Sequence, residues 1–377
     1  MKRVAIIVPG GMGEKDSPFT IPFLHEVLVR LSARYRITVY SISPLGESGG
    51  EVNTENMIIK APLTRNNLPF PLLIKSMMDA IKRDHQKTPY HLIHGFWGLP
   101  SGLLAVLLGK RWSIPSLVTL LGGETAAIPE IGYGNLLTLR HRLLTLWVCR
   151  HASILILLTQ FQRQALEQLG LQRPNLHIIP FGADERKFSF HTPPFQEPFH
   201  FLHVANLTEV KDQFTLLRAF ALIRKRVQAR LRIIGPDYLE GALHRLAQEL
   251  EIGESVTFYG KLPHEELPTH YRWAHFLLHT SLHEGQAVVV SEAAASGTLV
   301  CGTRVGLIAD LDEYAAISVE RKDAEGLAQK VLAVIQSPER YNTLLMNGFN
   351  WAKKHNLQWT VNAYQSLYES AMNRMSK

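Results

Sequence analysis

The chain has 377 residues, of which 46% are hydrophobic and 19% are charged, and its formal net charge is +7. This length predicts two domains, and the composition is that of an ordinary globular protein. The positive charge favours anionic partners, namely phosphorylated metabolites, acidic lipid or nucleic acid, without selecting among them.

The cysteines and the apolar runs argue against several classes of protein. Cys149 and Cys301 have no C-x-x-C spacing, which argues against a disulfide scaffold or a zinc site and favours a reducing compartment. The apolar run Val4–Val8 is too short for a signal-peptide core, and no run approaches the roughly 18 residues of a membrane-spanning helix. We therefore expect a cytoplasmic protein.

The first half of the chain alternates predicted strands and helices, as in a doubly wound parallel sheet. The predicted strands are Val4–Val8, Ile37–Ile42, His91–His94, Pro115–Leu121, Ser153–Leu158 and Leu176–Ile179. The predicted helices are Ile21–Ala33, Leu72–Arg83, Leu99–Leu108, Leu136–Cys149 and Gln160–Leu169, and a polar loop is expected over Ser43–Asn56.

Glycine-rich turns at two of these strand ends are candidates for ligand contacts. Gly10 and Gly11 lack the G-x-G-x-x-G offsets of a dinucleotide-binding turn, but paired glycines let main-chain amides approach an anion. A plain tight turn is the alternative. Gly122, Gly123 and Glu124 follow the fourth predicted strand, at the sheet edge where α/β proteins bind ligands.

The segment Pro180–Pro198 has four prolines, four phenylalanines and no period, and it predicts a linker. A second alternation follows it. Its predicted strands are Phe201–Ala205, Leu231–Ile234, Val256–Tyr259, His275–His279 and Thr298–Gly302, and its helices include Phe214–Gln228, Leu239–Leu250, Glu265–Trp273, Ala324–Ile335, Glu339–Lys354 and Thr360–Met375. We expect α/β domains over 1–190 and 199–355, and a C-terminal helix over 356–377 that packs on the first domain.

The segment Ser281–Gly297 carries two acids, Glu284 and Glu292, eight positions apart. A turn at Gly285 and a helix that ends at the C-cap Gly297 are predicted here. Because an unpaired buried carboxylate is costly, Glu292 needs a partner, either a neighbouring Arg or loop or a ligand. Eight residues of helix span about 12 Å, which suits two acids that hold opposite ends of a nucleotide sugar.

Other polar groups of the second half follow predicted strands or begin helices. Lys211 lies near a helix start, where amides and the helix dipole favour a phosphate, and a solvated surface lysine is the alternative. Gly235 follows the next strand. Gly285, Gln286 and Ala287 lie at another helix start and are candidates for a second phosphate contact.

The two acids and their flanking segments resemble the glutamate motif of glycosyltransferase family 4. The motif is Glu284-x7-Glu292, with Thr257–Lys261 before it and Ala293–Gly297 after it. Other matching segments, in family order, are Leu158-Thr159, Ile178–Asp184, Phe188, His203–Asp212, Leu231–Gly235 and Val256–Lys261. The resemblance implies the GT-B fold, with two Rossmann-like doubly wound domains facing a central cleft, and a retaining, metal-independent enzyme.

The resemblance also implies roles for matching residues. Glu292 would bind the ribose hydroxyls of the donor nucleotide, Glu284 would contact the donor sugar, and Lys211 would neutralise the diphosphate. Catalysis would rest on Glu284 and Lys211, without a protein nucleophile, metal or cofactor. The implied donor site comprises Gly10, Gly11, Asn206, Lys211, Gly235, Glu284, Gly285, Gln286, Ala287 and Glu292.

The chain departs from the family pattern at three places. Asn206 replaces the usual Arg five residues before the lysine, Gln286-Ala287 replaces the usual aromatic-Gly pair, and Leu121-Gly122 replaces a His-Gly pair. The segments H-G-F-W, G-G-E and I-G-Y-G resemble one branch of the family. They supply the acceptor-side candidates His94, Gly122, Gly123, Glu124 and Tyr133.

The leading hypothesis is transfer of a hexosyl group from a UDP- or GDP-linked sugar to a hydroxyl of a glycan, a lipid-linked acceptor or a small molecule. One alternative is a sugar-nucleotide epimerase or hydrolase of the same fold. Another is a partner-binding subunit with weak activity, which Asn206 motivates. No nucleic-acid motif is present.

The basic, aromatic segment Leu136–Arg150 predicts either contact with the anionic inner face of a membrane or a solvated basic face around Trp147. The 17 histidines show no H-x3-H pattern or comparable cluster, so no metal site is expected.

Overall fold

The computed structural model describes residues 1–10, 12, 21–43, 50–53, 56–61 and 69–374. The chain forms two compact units. Unit 1 comprises the described residues of Met1–Leu158, Gln162–Ile179 and Thr360–Lys377, and unit 2 comprises Thr159–Phe161 and Pro180–Trp359. No helix in the described part of the chain is long and apolar enough to cross a membrane.

Unit 1 is built on a sheet with eight strands within the described ranges. In chain order these are β1 (Arg3–Val8), β2 (Arg36–Ser41), β3 (Gly50–Asn53), β4 (Met57–Ala61), β5 (Leu92–Phe96), β6 (Ser116–Thr119), β7 (Ile154–Leu157) and β8 (Leu176–Ile178). Their spatial order is β3-β4-β2-β1-β5-β6-β7-β8, and only β3 and β4 pair antiparallel. The wholly buried run Val4–Val8 is typical of a parallel strand covered on both faces.

The helices in this part of the chain are α1 (Pro22–Ser32), α2 (Phe70–Lys87), α3 (Leu103–Trp112), α4 (Leu139–His151) and α5 (Gln160–Gln168). The predicted start of α3 at Leu99 is wrong by four residues. Leu99 has extended backbone angles, φ −130° and ψ 140°, because a residue before proline is disfavoured in the helical region.

The expected loop over Ser43–Asn56 is also wrong in part, since Gly50–Asn53 forms β3 at the edge of the sheet. Main-chain pairing with β4 sets its register. A four-residue edge strand with a single hydrophobic residue, Val52, has no hydrophobic alternation from which it could be predicted.

Unit 2 is built on a second sheet, which has six strands and is parallel throughout. Its strands are β9 (Phe199–Val204), β10 (Ala229–Ile234), β11 (Val256–Gly260), β12 (Phe276–His279), β13 (Leu299–Thr303) and β14 (Ala316–Val319). Their spatial order is β11-β10-β9-β12-β13-β14. Strand β14 was not among the predicted elements because it has only four residues, one of which is the polar Ser318, and so it does not form a continuous apolar run.

The helices that follow α5 are α6 (Gln213–Arg224), α7 (Ala242–Glu249), α8 (Leu267–Trp273), α9 (Val288–Ser296), α10 (Gly306–Leu311), α11 (Ala324–Ile335), α12 (Pro338–Lys354) and α13 (Leu357–Arg374). Helices cover both faces of the second sheet. Leu231 and Ile233 point into one apolar core and Ile234 into the other, as expected for alternate strand residues. In unit 1, Ile93 packs with α2 and α3 on one face, whereas the next residue, His94, contacts Tyr368 of α13 on the other, so both sheets are doubly wound.

Helix α13 starts in unit 2 and continues in unit 1. The main-chain N–H of Leu357 donates to the carbonyl of Ala183 in unit 2, whereas residues from Thr360 onward belong to unit 1. Tyr364 and Tyr368 of this helix are fully buried among unit 1 residues.

Candidate functional site

The loop between β12 and α9 carries four of the ten predicted donor-site residues, namely Glu284, Gly285, Gln286 and Ala287. It follows His279 at the carboxyl end of β12 and reaches Ala287, whose φ of 69° and ψ of 85° precede the first turn of α9. The helix ends at Gly297 with φ of 78°, which confirms the predicted glycine C-cap. The loop thus lies at the sheet edge where α/β proteins bind ligands.

The carboxylate of Glu284 is asymmetrically bonded. Its Oε1 accepts hydrogen bonds from Lys211 Nζ at 2.5 Å, Ser281 Oγ at 2.6 Å and His279 Nε2 at 2.9 Å. Within the described ranges, its Oε2 accepts no hydrogen bond, although Glu284 is only 9% exposed. One oxygen is therefore fixed while the other can accept from a ligand.

Burial by itself would raise the pKa of Glu284, but the Lys211 ammonium and the His279 hydrogen bond outweigh it. The pKa of this carboxyl therefore lies well below its usual range, and Glu284 is ionised at neutral pH. Because a carboxylate only accepts, His279 donates its Nε2–H, and its Nδ1 is buried without a partner among the described residues.

Lys211 is brought to Glu284 by the turn after β9. Residues Glu209–Lys211 form one turn of 3-10 helix, and Asp212 then caps α6 by accepting from the N–H of Thr215. Thr280 Oγ1 donates to the carbonyl of Asp212 at 2.8 Å, which ties this turn to the loop after β12. Residues 73 positions apart in sequence thus form an ion pair, with the Lys211 side chain 23% exposed.

Glu292 has two protein partners. Its Oε1 lies 2.8 Å from His264 Nε2, and its Oε2 accepts from Tyr271 Oη at 2.9 Å. Burial would lower the pKa of His264, but the hydrogen bond and charge of Glu292 raise it overall. The sequence predicted a partner for Glu292, but neither of these two residues was identified. They lie 28 and 21 positions away, on the turn His264–Glu266 and on α8.

Both polar atoms of the Gln286 side chain form hydrogen bonds within the protein. Its Oε1 accepts from the N–H of Phe181 at 2.7 Å, and its Nε2 donates to the carbonyl of Phe181 at 2.7 Å and to Ser291 Oγ at 3.0 Å. The Gly285 carbonyl accepts from Thr159 Oγ1. Within the described ranges, the main-chain N–H groups of Gln286 and Ala287 have no acceptor.

Gly306 is a site residue that the sequence analysis missed. A Cβ at this position would lie 2.7 Å from Glu284 Cβ and 2.8 Å from the Gln286 carbonyl oxygen, and its φ is +55°. Only glycine lets α10 begin so close to the glutamate loop. The sequence could have indicated this residue only as a glycine at the start of α10, a six-residue helix that was not predicted.

Two predicted donor-site residues have other roles in unit 2. Asn206 is exposed, and its carbonyl accepts from Gln213 Nε2, which also contacts His203 Nε2. Burial lowers the pKa of His203 to about 3, so this histidine is neutral. The N–H of Gly235 donates to the Gly260 carbonyl, and a Cβ on Gly235 would lie 1.8 Å from the Ala205 carbonyl oxygen. Gly235 therefore lets β9 and β10 end close together.

His94, an expected acceptor-side residue, is in the interior of unit 1 and is 0% exposed. Its Nδ1 bonds Tyr368 Oη at 2.7 Å, and its Nε2 bonds Thr119 Oγ1 at 2.8 Å. Burial lowers its pKa to about 3. A side chain with both nitrogens engaged and no exposed surface cannot contact an acceptor, so the expectation for His94 is corrected.

Glu124 is buried and accepts from three main-chain N–H groups, those of Gly98 at 2.9 Å, Leu121 at 3.3 Å and Gly122 at 2.7 Å. It joins the segments that follow β5 and β6. The ring of Tyr133 lies against Gly123, where a Cβ would be 3.2 Å from it. The structure thus brings Gly122, Gly123, Glu124 and Tyr133 together.

The glycines after β1 are only partly described. A Cβ on Gly10 would lie 3.0 Å from Ser43 Oγ, so this glycine packs against the segment after β2. Gly11 lies outside the described residues. Among the residues that the structure describes, no group of three or more His, Cys, Asp or Glu side chains could hold a metal ion.

Comparison with known proteins places the chain in a family. A family model described as Glycosyl transferases group 1 matches residues 184–351, and one described as Glycosyl transferase 4-like domain matches residues 24–182. A D-inositol 3-phosphate glycosyltransferase of Nocardia farcinica is 25% identical over 366 residues, which cover 88% of this chain and 79% of the relative.

Solved structures share the fold. Sucrose-phosphate synthase from Thermosynechococcus elongatus superposes with a TM-score of 0.80 at 20% identity, over 99% of this chain and 100% of that one. HepE from Anabaena, in complex with UDP-glucose, superposes with a TM-score of 0.75 at 17% identity, over 98% and 100%. With its two doubly wound units and two family matches along most of its length, the chain is a glycosyltransferase of the GT-B fold and belongs to the group 1 glycosyl transferases, family 4.

Proposed function

We propose that the protein is a retaining, metal-independent hexosyltransferase that uses a UDP- or GDP-linked sugar and a hydroxyl acceptor. The observation that carries this proposal is the Glu284 carboxylate, with Oε1 held by three donors and Oε2 without one in the described chain. HepE in complex with UDP-glucose supports a nucleotide-sugar donor.

Donor binding uses charge and hydrogen bonds on the unit 2 residues. Glu284 Oε2 accepts a hydroxyl hydrogen of the donor sugar. Lys211 Nζ and the N–H groups of Gln286 and Ala287 contact the diphosphate, where the N-terminus of α9 also favours negative charge. Glu292 accepts from the ribose through lone pairs that His264 and Tyr271 leave unused.

In the transfer step, the bond between the anomeric carbon and the β-phosphate oxygen breaks, and the acceptor oxygen bonds the anomeric carbon on the same face. The acceptor proton passes to the departing phosphate oxygen, so the products are the glycoside and the nucleoside diphosphate. Negative charge grows on the diphosphate, and Lys211 and the amides stabilise it. Asn206 adds no cation, so Lys211 carries most of this charge stabilisation.

The test is a panel of UDP- and GDP-linked hexoses with mass analysis of the products. Lys211→Ala and Glu292→Ala should each abolish donor turnover, whereas Lys225→Ala, at the exposed end of α6, should leave it unchanged. Full turnover in both site variants would contradict the proposal. Conversion of the nucleotide sugar without an acceptor, and no glycoside when an acceptor is added, would favour the epimerase or hydrolase alternative. Nucleotide binding without any product would favour the weakly active subunit.

We also propose that unit 1 touches an anionic membrane surface through α4. Leu139 and Leu143, four residues apart on one helix face, are 71% and 57% exposed, and Arg140 and Arg142 are exposed beside them. Exposed leucines flanked by arginines suit the interface of an acidic bilayer. A solvated basic face remains the alternative, and vesicle binding distinguishes the two.

A further inference from the structure

The segments after β5 and β6 in unit 1 hold an unusual arrangement of Trp97. Its φ is 70° and its ψ is 145°, a conformation that residues with side chains rarely adopt. Two main-chain hydrogen bonds hold it, because the Trp97 N–H donates to the Thr119 carbonyl and the Trp97 carbonyl accepts from the N–H of Gly102, each at 2.9 Å. The ring is half-buried. Strain that is held in place in this way clusters at functional sites.

Glu124 fixes the surroundings of this tryptophan. Its carboxylate accepts from the N–H of Gly98, the next residue after Trp97, and from the N–H of Gly122 on the neighbouring segment. A Cβ on Gly98 would lie 3.3 Å from Glu124 Cγ, so the contact is close. Glu124 is therefore a positioning residue, and its own oxygens are largely used by the main chain.

Tyr133 is positioned just as firmly. Its main chain pairs with Ile128 through hydrogen bonds of 2.8 Å and 3.1 Å. The next residue, Gly134, has φ of +113°, and a Cβ there would lie 2.1 Å from the Ala126 carbonyl oxygen. The half-buried ring of Tyr133 then lies over Gly123.

These side chains converge on Gly122. From the position that a Cβ on Gly122 would occupy, Tyr133 Oη lies at 3.8 Å, Glu124 Oε2 at 3.9 Å and Trp97 Nε1 at 4.0 Å. Two aromatic rings with polar edges therefore border the position that a side chain at residue 122 would take. Among the described residues, none of the three groups nearest to that position is cationic, and one is a carboxylate.

We propose that Trp97 and Tyr133 form the acceptor platform, and that the acceptor is an uncharged hydroxylated ring, a sugar or a cyclitol. The C–H groups of such a ring pack on aromatic faces, and its hydroxyls bond the indole N–H and the phenol. A phosphorylated ring would bring its anion towards Glu124 at this site. This inference rests on the proposed transferase function and names the substrate class of its acceptor side.

The test uses the full chain with UDP and three probes: methyl α-D-glucopyranoside, myo-inositol and glucose 6-phosphate. Saturation-transfer NMR should show that the two uncharged rings bind to the wild type and that glucose 6-phosphate binds more weakly. Trp97→Gly should weaken the affinity for the uncharged rings about tenfold or more, which corresponds to the loss of about 1.4 kcal/mol of binding free energy. Glycine adopts positive φ without strain, so this change removes the ring and keeps the backbone.

Tyr314→Ala, an exposed aromatic of unit 2, serves as the matched control and should bind all probes as the wild type does. Trp97→Phe keeps a ring and should retain part of the affinity. Glu124→Gln loses a carboxylate oxygen that accepts main-chain N–H groups, so it should weaken the binding of both uncharged rings. Three outcomes would contradict the acceptor-platform proposal. They are undiminished binding of the uncharged rings to Trp97→Gly, no binding of either uncharged ring to the wild type, and tighter binding of glucose 6-phosphate than of the uncharged rings.

Nucleotide binding, measured as a thermal shift, tests the proposed donor chemistry separately from the acceptor platform. A wild type that binds the sugars but neither UDP nor GDP would contradict the proposed donor chemistry and leave the acceptor platform standing. Binding of UDP without the sugars would overturn the platform alone.

Discussion

The ion pair of Lys211 and Glu284 stabilises the fold in addition to its proposed role in transfer. Lys211→Met keeps the aliphatic stem but removes the charge, so the nine-tenths buried Glu284 loses its main counter-charge. We expect the free energy of unfolding at neutral pH to fall by about 1–3 kcal/mol, a value discounted for the partial exposure of the lysine.

This loss should depend on pH with a defined sign. Because the folded pKa of Glu284 is depressed, its contribution is present above the unfolded value of about 4.3 and is lost as the pH falls towards the folded value. Urea denaturation of wild type and Lys211→Met should therefore converge on acidification, with Lys225→Met as the control. A difference that stays constant with pH would contradict this account.

His264 should show the opposite pH dependence. Its folded pKa is raised by Glu292, so its contribution is complete below the unfolded value of about 6.5 and disappears as the pH rises through the folded value. We expect His264→Gln to cost about 1 kcal/mol more on the acidic side of this window than on the alkaline side. Urea denaturation on both sides measures it, and His244→Gln, on an exposed part of α7, is the control.

At the scale of elements, the start of α9 contains strain. Ala287 has φ of 69°, and the family usually carries glycine at this position, as the resemblance in the sequence implies. Ala287→Gly should raise the free energy of unfolding by about 0.5–1 kcal/mol, whereas Ala295→Gly within the same helix should lower it by about 1 kcal/mol. Thermal unfolding of the two variants provides the measurement, and a destabilised Ala287→Gly would show that the alanine methyl packs better than its backbone angles suggest.

Helix α4 is the element on which the membrane proposal depends. The double variant Leu139→Ser and Leu143→Ser should lose most binding to vesicles rich in phosphatidylglycerol, because it removes the two exposed apolar side chains of that face. Met346→Ser, an exposed apolar residue of unit 2, should not. Sedimentation with vesicles measures both, and wild-type binding should weaken with added salt. If the wild type stays in the supernatant at low salt, the solvated-face alternative is correct.

At the scale of the whole molecule, α13 completes the interior of unit 1. Tyr368→Phe leaves His94 Nδ1 without its partner in a fully buried site, and we expect a loss of about 1–3 kcal/mol. The Kd for UDP should stay at the wild-type value, because Tyr368 and His94 are structural residues of unit 1. Urea denaturation measures the loss of stability, and a UDP titration measures the Kd. A change in nucleotide affinity would contradict the structural role of His94 and make it a ligand-binding candidate again.

The sequence predicted most elements of both sheets, because buried parallel strands are continuous apolar runs and the helices between them keep their period. It missed β3, β4, β14 and α10, which are four to six residues long and too short to show a clear period. Family order predicted Glu284, Lys211 and Glu292. It could not supply His264, Tyr271 or Gly306, because their contacts arise only when distant segments meet at one sheet edge.

The path of the chain through the two units limits how the gene can be divided. The chain passes from one unit to the other at residues 158/159, 161/162, 179/180 and 359/360. A fragment that stops within Pro180–Pro198 would lack Tyr364 and Tyr368, so their places in the interior of unit 1 would be empty and His94 Nδ1 would lose its partner. Circular permutation that fuses Thr360–Arg374 ahead of Met1 would restore that filling, so a permuted unit 1, rather than a simple truncation, is the version to express alone.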